Sequence, residues 1–343
     1  MGSQTRIEKA FPAPWRALLA ALAAGLVIGG CGSSAGSSLG RNASLVLDFT
    51  PNAVHAGIYS ALAHHYDRDT GVHLSVIVPQ ASTDSIGLLE SRRVDFAILD
   101  LHDLAIARER GSNIVAVMAI VQRPLASLIA VPSVRSPRQL AGRTVGITGV
   151  PSDTAVLDSI VAGAGGDPRA VRTIAIGFSA VPVLLAGRVA AATAFWNDEG
   201  LTLSLRRPSF HVFRVDEFGA PTYPELVVCT SRGFLTDHPS LVGAVVRTLV
   251  YGYDFTISNP HRSAADLESF VPSLDPRLVA AQVSALLPAF VARDGRVGEL
   301  QSAALRAWAR WETRFHIVSH APDVGKLFDS SFAAAAASPL GAN

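Results

Sequence analysis

The sequence has little of several residue types that many function classes require. Of its 343 residues, 2 are cysteine and 17% are charged. Lysine occurs only at Lys9 and Lys326. The formal net charge is +1, so the chain lacks the basic excess that nucleic-acid binding requires, and we expect no nucleic-acid partner. Two cysteines, Cys31 and Cys229, exclude a disulfide-rich scaffold.

The sequence also lacks an apolar run long enough for a permanent membrane helix, which needs about 20 residues. Residues 17–28 form a shorter apolar run, which follows basic residues and precedes small ones. This order predicts an export signal over residues 1–30. The segment Ile28-Gly29-Gly30-Cys31 resembles a bacterial lipobox, so we expect lipid attachment at Cys31 and an extracytoplasmic, membrane-anchored protein. The alternative interpretation is an ordinary signal peptide in which the cysteine is incidental.

Short apolar runs alternate with helical patterns from residue 44 onward, which predicts an α/β protein with mostly parallel sheets. Strands are predicted at 44–49, 73–78, 96–100, 114–121, 125–131, 144–147, 171–176, 190–195, 213–215 and 226–230. After residue 230 the pattern is helical.

The order of these segments predicts two lobes joined by two crossings of the chain. The predicted divisions are a tether over 31–41, lobe 1 over 42–131 and 226–332, lobe 2 over 132–225, and a disordered tail over 333–343. Crossings near residues 131 and 225 would form a hinge with a cleft between the lobes. We expect a monomer.

The densest group of potential ligand contacts follows the first predicted strand. Phe49, Asn52, His55 and Tyr59 extend from the end of that strand into the first turn of the next helix. Ligands of open α/β sheets bind at this end of a strand, and a helix start adds N–H donors and a positive dipole end. An isolated Asn also caps helices, and an isolated His also packs in cores, so these residue types alone leave both interpretations open.

Three ordered segments resemble the NMT1/THI5-like family, the pyrimidine-precursor binding proteins of thiamine biosynthesis. LDFTPN at residues 47–52 is similar to the family's Leu-Asp-Trp-Thr-Pro-Asn, with Phe49 in place of Trp. FWNDEG at 195–200 is similar to its aromatic-Trp-Asn-x-Glu-Gly. YPEL at 223–226 is similar to its Tyr-Tyr-Glu-Leu, with Pro224 replacing one Tyr. The three segments extend over most of the expected mature chain.

The resemblance implies a two-lobed periplasmic-binding-protein fold of type II, in which a double-crossover hinge joins two mixed, mostly parallel sheets flanked by helices. It implies a substrate-binding lipoprotein of an ABC importer that closes on formylaminopyrimidine or hydroxymethylpyrimidine and delivers it to a permease. The alternative is a protein of the same fold that binds riboflavin, sulfonate or nitrate. No cofactor is expected.

An aminopyrimidine needs aromatic faces and a few directed polar groups. The expected aromatic contacts are Phe49, Tyr59, Phe195, Trp196 and Tyr223. The expected polar contacts are Asn52, His55, Gln80, Asp84, Asp100, Asn197, Glu199 and Glu225. Glu199 is expected to accept hydrogen bonds from the ligand's amine, which argues against an anionic ligand. Asp84 is alternatively a helix cap, and Glu225 is alternatively a latch between the lobes.

A pyridoxal-phosphate-dependent pyrimidine synthase of the same family is the remote alternative. Such an enzyme holds its cofactor as a Schiff base on a lysine. Lys9 lies in the leader and Lys326 belongs to no matching segment, so we expect a binding protein and not an enzyme. The neighbouring His64 and His65 lack the i, i+4 spacing of a helical metal pair, and no metal site is expected.

Overall fold

The computed structural model describes residues 40–81, 84–150 and 152–336. The predicted export signal, Cys31 and most of the predicted tether lie outside the described residues. Within the described part, the strands are β1 (Arg41–Val46), β2 (Val72–Ile77), β3 (Phe96–Asp100), β4 (Ile114–Ala119), β5 (Ala126–Ala130), β6 (Thr144–Ile147), β7 (Arg172–Ala175), β8 (Ala191–Phe195), β9 (His211–Arg214) and β10 (Leu226–Ser231).

These strands form two sheets of five strands with matching arrangements. The first sheet has the order β2-β1-β3-β10-β4 and the second has the order β7-β6-β8-β5-β9. In each sheet three strands pair in parallel, and the fourth is antiparallel to both of its neighbours. The antiparallel strands, β10 and β5, are those that follow the two crossings. The two-lobed α/β fold predicted from the sequence is confirmed.

The position of β5 corrects the predicted lobe boundary. The prediction placed residues 125–131 in lobe 1, but β5 pairs with β8 and β9 in the second sheet. The first crossing therefore lies between β4 and β5, at residues 120–125, and not near residue 131. All five residues of β5 are buried, and an apolar run of this kind predicts a strand without specifying which sheet it joins.

Fourteen α-helices cover the sheets in the described part of the chain. They are α1 (Ala56–Ala63), α2 (Tyr66–Asp69), α3 (Asp84–Glu90), α4 (Leu101–Glu109), α5 (Asp153–Gly163), α6 (Ala180–Leu185), α7 (Leu201–Arg206), α8 (Arg232–Asp237), α9 (Pro239–Ser258), α10 (Pro260–Phe270), α11 (Pro276–Leu286), α12 (Ser302–Arg314), α13 (Val324–Leu327) and α14 (Ser331–Ala336). None of these helices is long and apolar enough to cross a membrane.

Close packing of α1 against α9 supports the first sheet next to the cleft. A Cβ at Gly252 would lie 1.9 Å from the carbonyl oxygen of Gly57, so only glycine permits this approach. The Tyr253 ring covers Gly57, and its hydroxyl donates to the carbonyl oxygen of Val54 at 2.8 Å. These contacts hold the start of α1, and therefore the loop that follows β1, in a defined position.

Both predicted ends of lobe 1 extend further than expected. Arg41, predicted as tether, begins β1 and pairs with Val72, because strand pairing uses backbone groups and tolerates a polar side chain. Residues 333–336, predicted as disordered tail, belong to α14, where Ala333 and Ala336 are buried. Alanine favours a helix, and the methyl groups of these two residues pack in the hydrophobic core of lobe 1. Residues 337–343 lie outside the described part of the chain.

Candidate functional site

A cleft lies between the two lobes, where the carboxyl ends of β1, β3 and β8 meet. It encloses about 870 Å³ of space not filled by protein atoms, including the part open to solvent. The polar residues that line it are Asp48, Asn52, Ser85, Asp100, Asp103, Ser127, Thr148, Ser152, Asp153, Thr193, Asp198 and Glu199. The aromatic lining residues are Phe49, Phe178 and Phe195.

The loop after β1 presents Asp48, Phe49 and Asn52 to the cleft. The Asn52 side chain accepts from the N–H of Val54 at 2.9 Å and caps the short helical turn that precedes α1. The N–H of Asn52 in turn donates to Nδ1 of His55 at 3.2 Å. Because Nδ1 accepts, Nε2 carries the proton and donates to Asp48 at 2.9 Å. His55 is fully buried, and its hydrogen bond orients the Asp48 carboxylate from the core side of the cleft wall.

Two carboxylates from β3 and α4 form the floor of the cleft. Asp100 caps α4 by accepting from the N–H of His102 at 2.7 Å. Asp103 accepts from the N–H of Ser152 at 3.2 Å, a hydrogen bond from lobe 1 to lobe 2. Burial, and then the neighbouring Asp100 carboxylate, raises the pKa of Asp103 to about 8. Burial also raises the pKa of Asp100 well above its usual range.

Asp153 shapes the wall of the cleft in lobe 2. One of its oxygens accepts from Thr148 Oγ1 and from the backbone N–H groups of Gly149 and Val150, at 2.7 to 3.1 Å. The other accepts from Thr193 Oγ1 at 2.7 Å. Burial raises the pKa of Asp153 although these hydrogen bonds lower it. The glycine-containing loop after β6 is therefore ordered by an internal carboxylate.

A π-helical turn, Trp196–Gly200, follows β8 and carries Asp198 and Glu199 into the cleft. Turns of this kind occur frequently at functional sites. Glu199 is 9% exposed and accepts from the N–H of Phe195 at 3.0 Å. Burial, and then the Asp198 carboxylate, raises the pKa of Glu199 to about 8. Asp198 accepts from Gln282 of α11 at 2.6 Å, which links lobe 2 to lobe 1.

Aromatic faces complete the cleft. Phe49 and Phe178 meet edge to face, with ring centroids 4.3 Å apart and an interplanar angle of 69°. Phe49 belongs to lobe 1 and Phe178 to lobe 2, so this contact bridges the cleft. No lysine or arginine is among the lining residues in the part of the chain that the structure describes. The site is therefore a carboxylate-rich cleft with flat apolar surfaces, suited to a planar ligand that donates hydrogen bonds.

The profile of the NMT1/THI5-like family matches residues 52–263 of this chain. The chain belongs to the NMT1/THI5-like family. A relative is the formylaminopyrimidine-binding protein of Halalkalibacterium halodurans, 29% identical over 219 residues, which are 63% of this chain and 66% of that protein. The match thus spans just under two thirds of that relative's length. Another is the 4-amino-5-hydroxymethyl-2-methylpyrimidine phosphate synthase of Legionella pneumophila, 22% identical over 259 residues, 74% of this chain and 81% of that enzyme.

Solved structures place this family member in a known fold. The periplasmic aliphatic sulphonate-binding protein of Escherichia coli superposes with a TM-score of 0.66 at 14% identity, covering 84% of this chain and 97% of that one. At this identity the likeness shows the fold alone. The periplasmic-binding-protein fold predicted from the three segments is confirmed.

The structure brings five of the thirteen predicted ligand contacts to the cleft. They are Phe49, Asn52, Asp100, Phe195 and Glu199. Two others do not line the cleft but contact groups next to it. His55 holds Asp48, and Trp196 donates from Nε1 to the Pro124 carbonyl oxygen at 3.0 Å while the Arg214 guanidinium lies 4.5 Å above its ring. Asn197 is buried within the π-helical turn and does not line the cleft.

Three predicted contacts lie outside the lining residues on the lobe 1 side. Tyr59 is buried and packs against Phe270, with centroids 5.4 Å apart. Gln80 is exposed. Asp84 accepts from the backbone N–H groups of Gln80 and Ala81, each at 2.8 Å, at the start of α3. This is not the geometry of a helix cap, which would accept from N–H groups that follow Asp84; the side chain instead orders the turn that precedes α3.

Tyr223 and Glu225 are fully buried at the returning crossing. Glu225 accepts from the N–H groups of Leu125 and Ala126, at 2.6 and 3.0 Å, at the end of the first crossing. It thereby joins the two chain segments of the hinge. The Tyr223 hydroxyl lies 2.9 Å from Nε2 of His102. Neither side chain is among those that line the cleft.

Sequence reasoning missed several lining residues. Asp48 and Asp198 lie inside two of the family-like segments and could have been found there, since a carboxylate next to predicted contacts is a visible signal. Asp103, Asp153 and Phe178 belong to no such segment. They reach the cleft only because α4 and α5 begin, and the loop after β7 lies, at the same edge as the predicted residues.

Proposed function

We propose that this protein is an extracytoplasmic substrate-binding lipoprotein of an ABC importer and that it binds an aminopyrimidine precursor of thiamine. The cleft would close on formylaminopyrimidine or hydroxymethylpyrimidine, and the closed form would present the ligand to a permease. The observation that carries this proposal is the lining of the cleft. Carboxylates, one amide and three phenylalanines surround it, and the described lining residues include no cationic side chain.

This lining matches the chemistry of an aminopyrimidine. The ring offers two flat faces, which fit between Phe49 and Phe195 or against Phe178. Its exocyclic amine donates hydrogen bonds, which Glu199 and Asp198 accept. A sulfonate or nitrate would instead require cationic or N–H donors, and the described lining residues offer no cationic side chain. The formylaminopyrimidine-binding relative supports the same ligand class.

A binding role is favoured over the synthase role by the position of lysine. Lys326, the one lysine among the described residues, pairs with Asp323 at 3.2 Å and is 75% exposed. It lies on α13 and does not line the cleft. A Schiff-base cofactor in the cleft would have no amine to bind. We propose that the protein is not an enzyme. Absorbance near roughly 400 nm after incubation with pyridoxal phosphate would contradict this.

Export and lipid attachment are part of the same proposal. The segment Ile28-Gly29-Gly30-Cys31 and the preceding apolar run carry it. The fold relative named above is periplasmic, in agreement with an extracytoplasmic location. Metabolic labelling with a palmitate analogue tests lipid attachment. The full-length chain should incorporate label, and Cys31→Ser should not.

A ligand panel tests the proposed binding function. The chain from residue 32 onward would be screened by thermal shift against formylaminopyrimidine, hydroxymethylpyrimidine, thiamine, riboflavin, taurine and nitrate. A ligand at one hundred times its Kd adds roughly 2.7 kcal/mol to the free energy of unfolding. We expect a shift with the aminopyrimidines alone, followed by titration calorimetry of each. Stabilisation by riboflavin or an anion alone would retain the binding role and overturn the proposed ligand.

A further inference from the structure

Below the cleft, three potential metal ligands converge at the hinge. They are Asp100 at the end of β3, His102 in the first turn of α4, and Glu225 at the end of the returning crossing. One donor atom from each lies within 4.8 Å of the other two. The strand register explains their proximity, because Asp100 pairs with Leu226, the residue that follows Glu225.

Backbone groups hold one oxygen of each carboxylate, and the two carboxyl groups lie within hydrogen-bonding distance of each other. Oε2 of Glu225 accepts from Leu125 and Ala126. Its Oε1 is buried and has no hydrogen-bond partner among the described residues. Oδ1 of Asp100 accepts from the N–H of His102. A buried carboxylate oxygen without a donor is costly, so the unpartnered Oε1 indicates a missing positive group.

The imidazole of His102 is held in the way that metal-bound histidines are held. Its Nδ1 contacts the buried Glu312 carboxylate. The indole N–H of Trp308 points at the same Nδ1, and the two nitrogens are 3.2 Å apart. Its Nε2 faces Tyr223 Oη at 2.9 Å and Oε1 of Glu225 at 3.7 Å. Histidines that bind metal through one nitrogen generally donate from the other to a carboxylate or carbonyl oxygen.

The charges of this cluster do not balance. Asp100, Glu225 and Glu312 surround a single imidazole, and in the described part of the chain no lysine or arginine forms an ion pair with any of them. Even a protonated His102 would leave an excess of negative charge in a buried site. Neutralisation therefore requires either protons shared among the carboxylates or a cation.

We propose that Asp100, His102 and Glu225 bind one divalent first-row transition-metal ion, such as Zn²⁺, with Tyr223 Oη beside it and Glu312 fixing the imidazole. Two carboxylate oxygens and one imidazole nitrogen are suitable ligands for Zn²⁺ and Mn²⁺. The ion would connect β3 and α4 of lobe 1 to the returning crossing and so stiffen the hinge. Asp100 also lines the cleft, so the site borders the proposed pyrimidine pocket. Glu225 lies more than 100 positions from Asp100 and His102 in the sequence, which explains why spacing did not predict the site.

Metal binding by the untagged wild-type chain is the first test. After chelator treatment and desalting, the chain would be titrated with Zn²⁺, Mn²⁺ and Co²⁺ and its metal content measured by inductively coupled plasma mass spectrometry. We expect one equivalent of Zn²⁺ and, with Co²⁺, the visible absorption of a site with nitrogen and oxygen ligands. Failure of the folded wild type to bind a stoichiometric ion would overturn the proposal and favour shared protons.

Variants then locate the ion. We expect Glu225→Gln and His102→Gln to abolish stoichiometric binding, and Glu312→Gln to weaken it about 10- to 100-fold. His64→Gln is the matched control, because His64 also contacts a carboxylate, Asp266, but lies outside the cluster; it should bind as the wild type does. Circular dichroism would verify folding. A folded Glu225→Gln variant with unchanged Zn²⁺ affinity would refute the assignment, and so would loss of the bound ion in His64→Gln.

Discussion

The two lobes have matching strand orders but present carboxylates to the cleft in different ways. In lobe 1, Asp48 is held by the buried His55, and Asp100 caps a helix. In lobe 2, Glu199 is held by one backbone N–H on a π-helical turn. Asp153 of lobe 2 accepts four hydrogen bonds and belongs to the framework as well, whereas Glu199 keeps acceptor capacity for a ligand. The comparison therefore assigns the discriminating group to the π-helical turn of lobe 2 and a fixed wall to lobe 1.

The lobes also differ in how they are supported. Lobe 1 carries α1 to α4 and α8 to α14, and its helices approach to the limit that Gly57 and Gly252 allow. Lobe 2 carries only α5 to α7. A small buried cluster lies on one face of its sheet, around Ile129, Leu184 and Leu203. Disturbing the core of lobe 1 should therefore affect stability most, and disturbing the cleft face of lobe 2 should affect binding most.

The largest expected effect is on stability, from Gly252→Ala. The new Cβ would lie 1.9 Å from the Gly57 carbonyl oxygen, a backbone atom, and overpacking of this kind costs about 1–3 kcal/mol or more. Urea unfolding would measure this loss. Gly243→Ala in the same helix is the control, because its nearest neighbour would be Phe332 at an ordinary 3.7 Å. Equal stability of the two variants would contradict the packing argument.

The second-largest effect is expected from Glu199→Gln, which should weaken ligand binding. Replacing a buried carboxylate that accepts from the ligand's amine should weaken aminopyrimidine binding by a hundredfold or more, about 3 kcal/mol, without unfolding the chain. Calorimetric titration would measure it. Asp48→Asn, the lobe 1 comparison, should lose less than tenfold, because Asp48 already has a partner in His55. A larger loss with Asp48→Asn would reverse the proposed roles of the lobes.

The pH dependence of stability offers a third test. The pKa of Glu199 is raised from 4.5 to about 8 in the folded chain, chiefly by burial. Between these values the folded state binds more protons than the unfolded state, so stability falls as pH rises, by up to about 1.4 kcal/mol per pH unit. Unfolding of the ligand-free chain from pH 5 to 8 would measure the slope. Glu199→Gln should reduce the slope without removing it, because the pKa of Asp103 is also raised to about 8 by burial; parallel curves for both proteins would disprove a contribution from Glu199.

A smaller effect is expected from Phe178→Ala, which removes the edge-to-face contact with Phe49 across the cleft. Such a pair contributes about 0.5–1.5 kcal/mol beyond its buried area, so ligand affinity should fall roughly tenfold. Phe270→Ala is the control, since Phe270 is 48% exposed and packs on Tyr59 away from the cleft. Equal affinities of the two variants would show that Phe178 does not assist closure.

The smallest effect is expected from Gln282→Ala, which removes the hydrogen bond from α11 to Asp198 between the lobes. One such bond contributes about 1 kcal/mol, so ligand should dissociate about five times faster in stopped-flow measurements. Gln301→Ala removes a bond to Glu299 within lobe 1 and should leave the rate unchanged. An unchanged rate with Gln282→Ala would mean that this bond does not stabilise the closed form.

Much of the fold could be predicted because its signals are local. Alternating apolar segments predict the strands, and two of the three family-like segments contain Phe49, Asn52 and Glu199, which line the cleft. Their contact with a ligand stays a prediction. The partner of β5 could not be predicted, because a short buried strand carries the same pattern in either sheet. Tyr59 and Tyr223 were misplaced for a similar reason, since an aromatic residue looks the same in a core and in a cleft.

The sequence by itself determined the strands, the helical character of the chain after residue 230, the return near residue 225 and the family. These depend on periodicity, on capping residues and on motifs that a few neighbouring positions carry. The tertiary structure decided which side chains share a site. Asp103, Asp153 and Phe178 reach the cleft, and Asp100, His102 and Glu225 meet at the hinge, because strand register and helix packing bring together positions far apart along the chain.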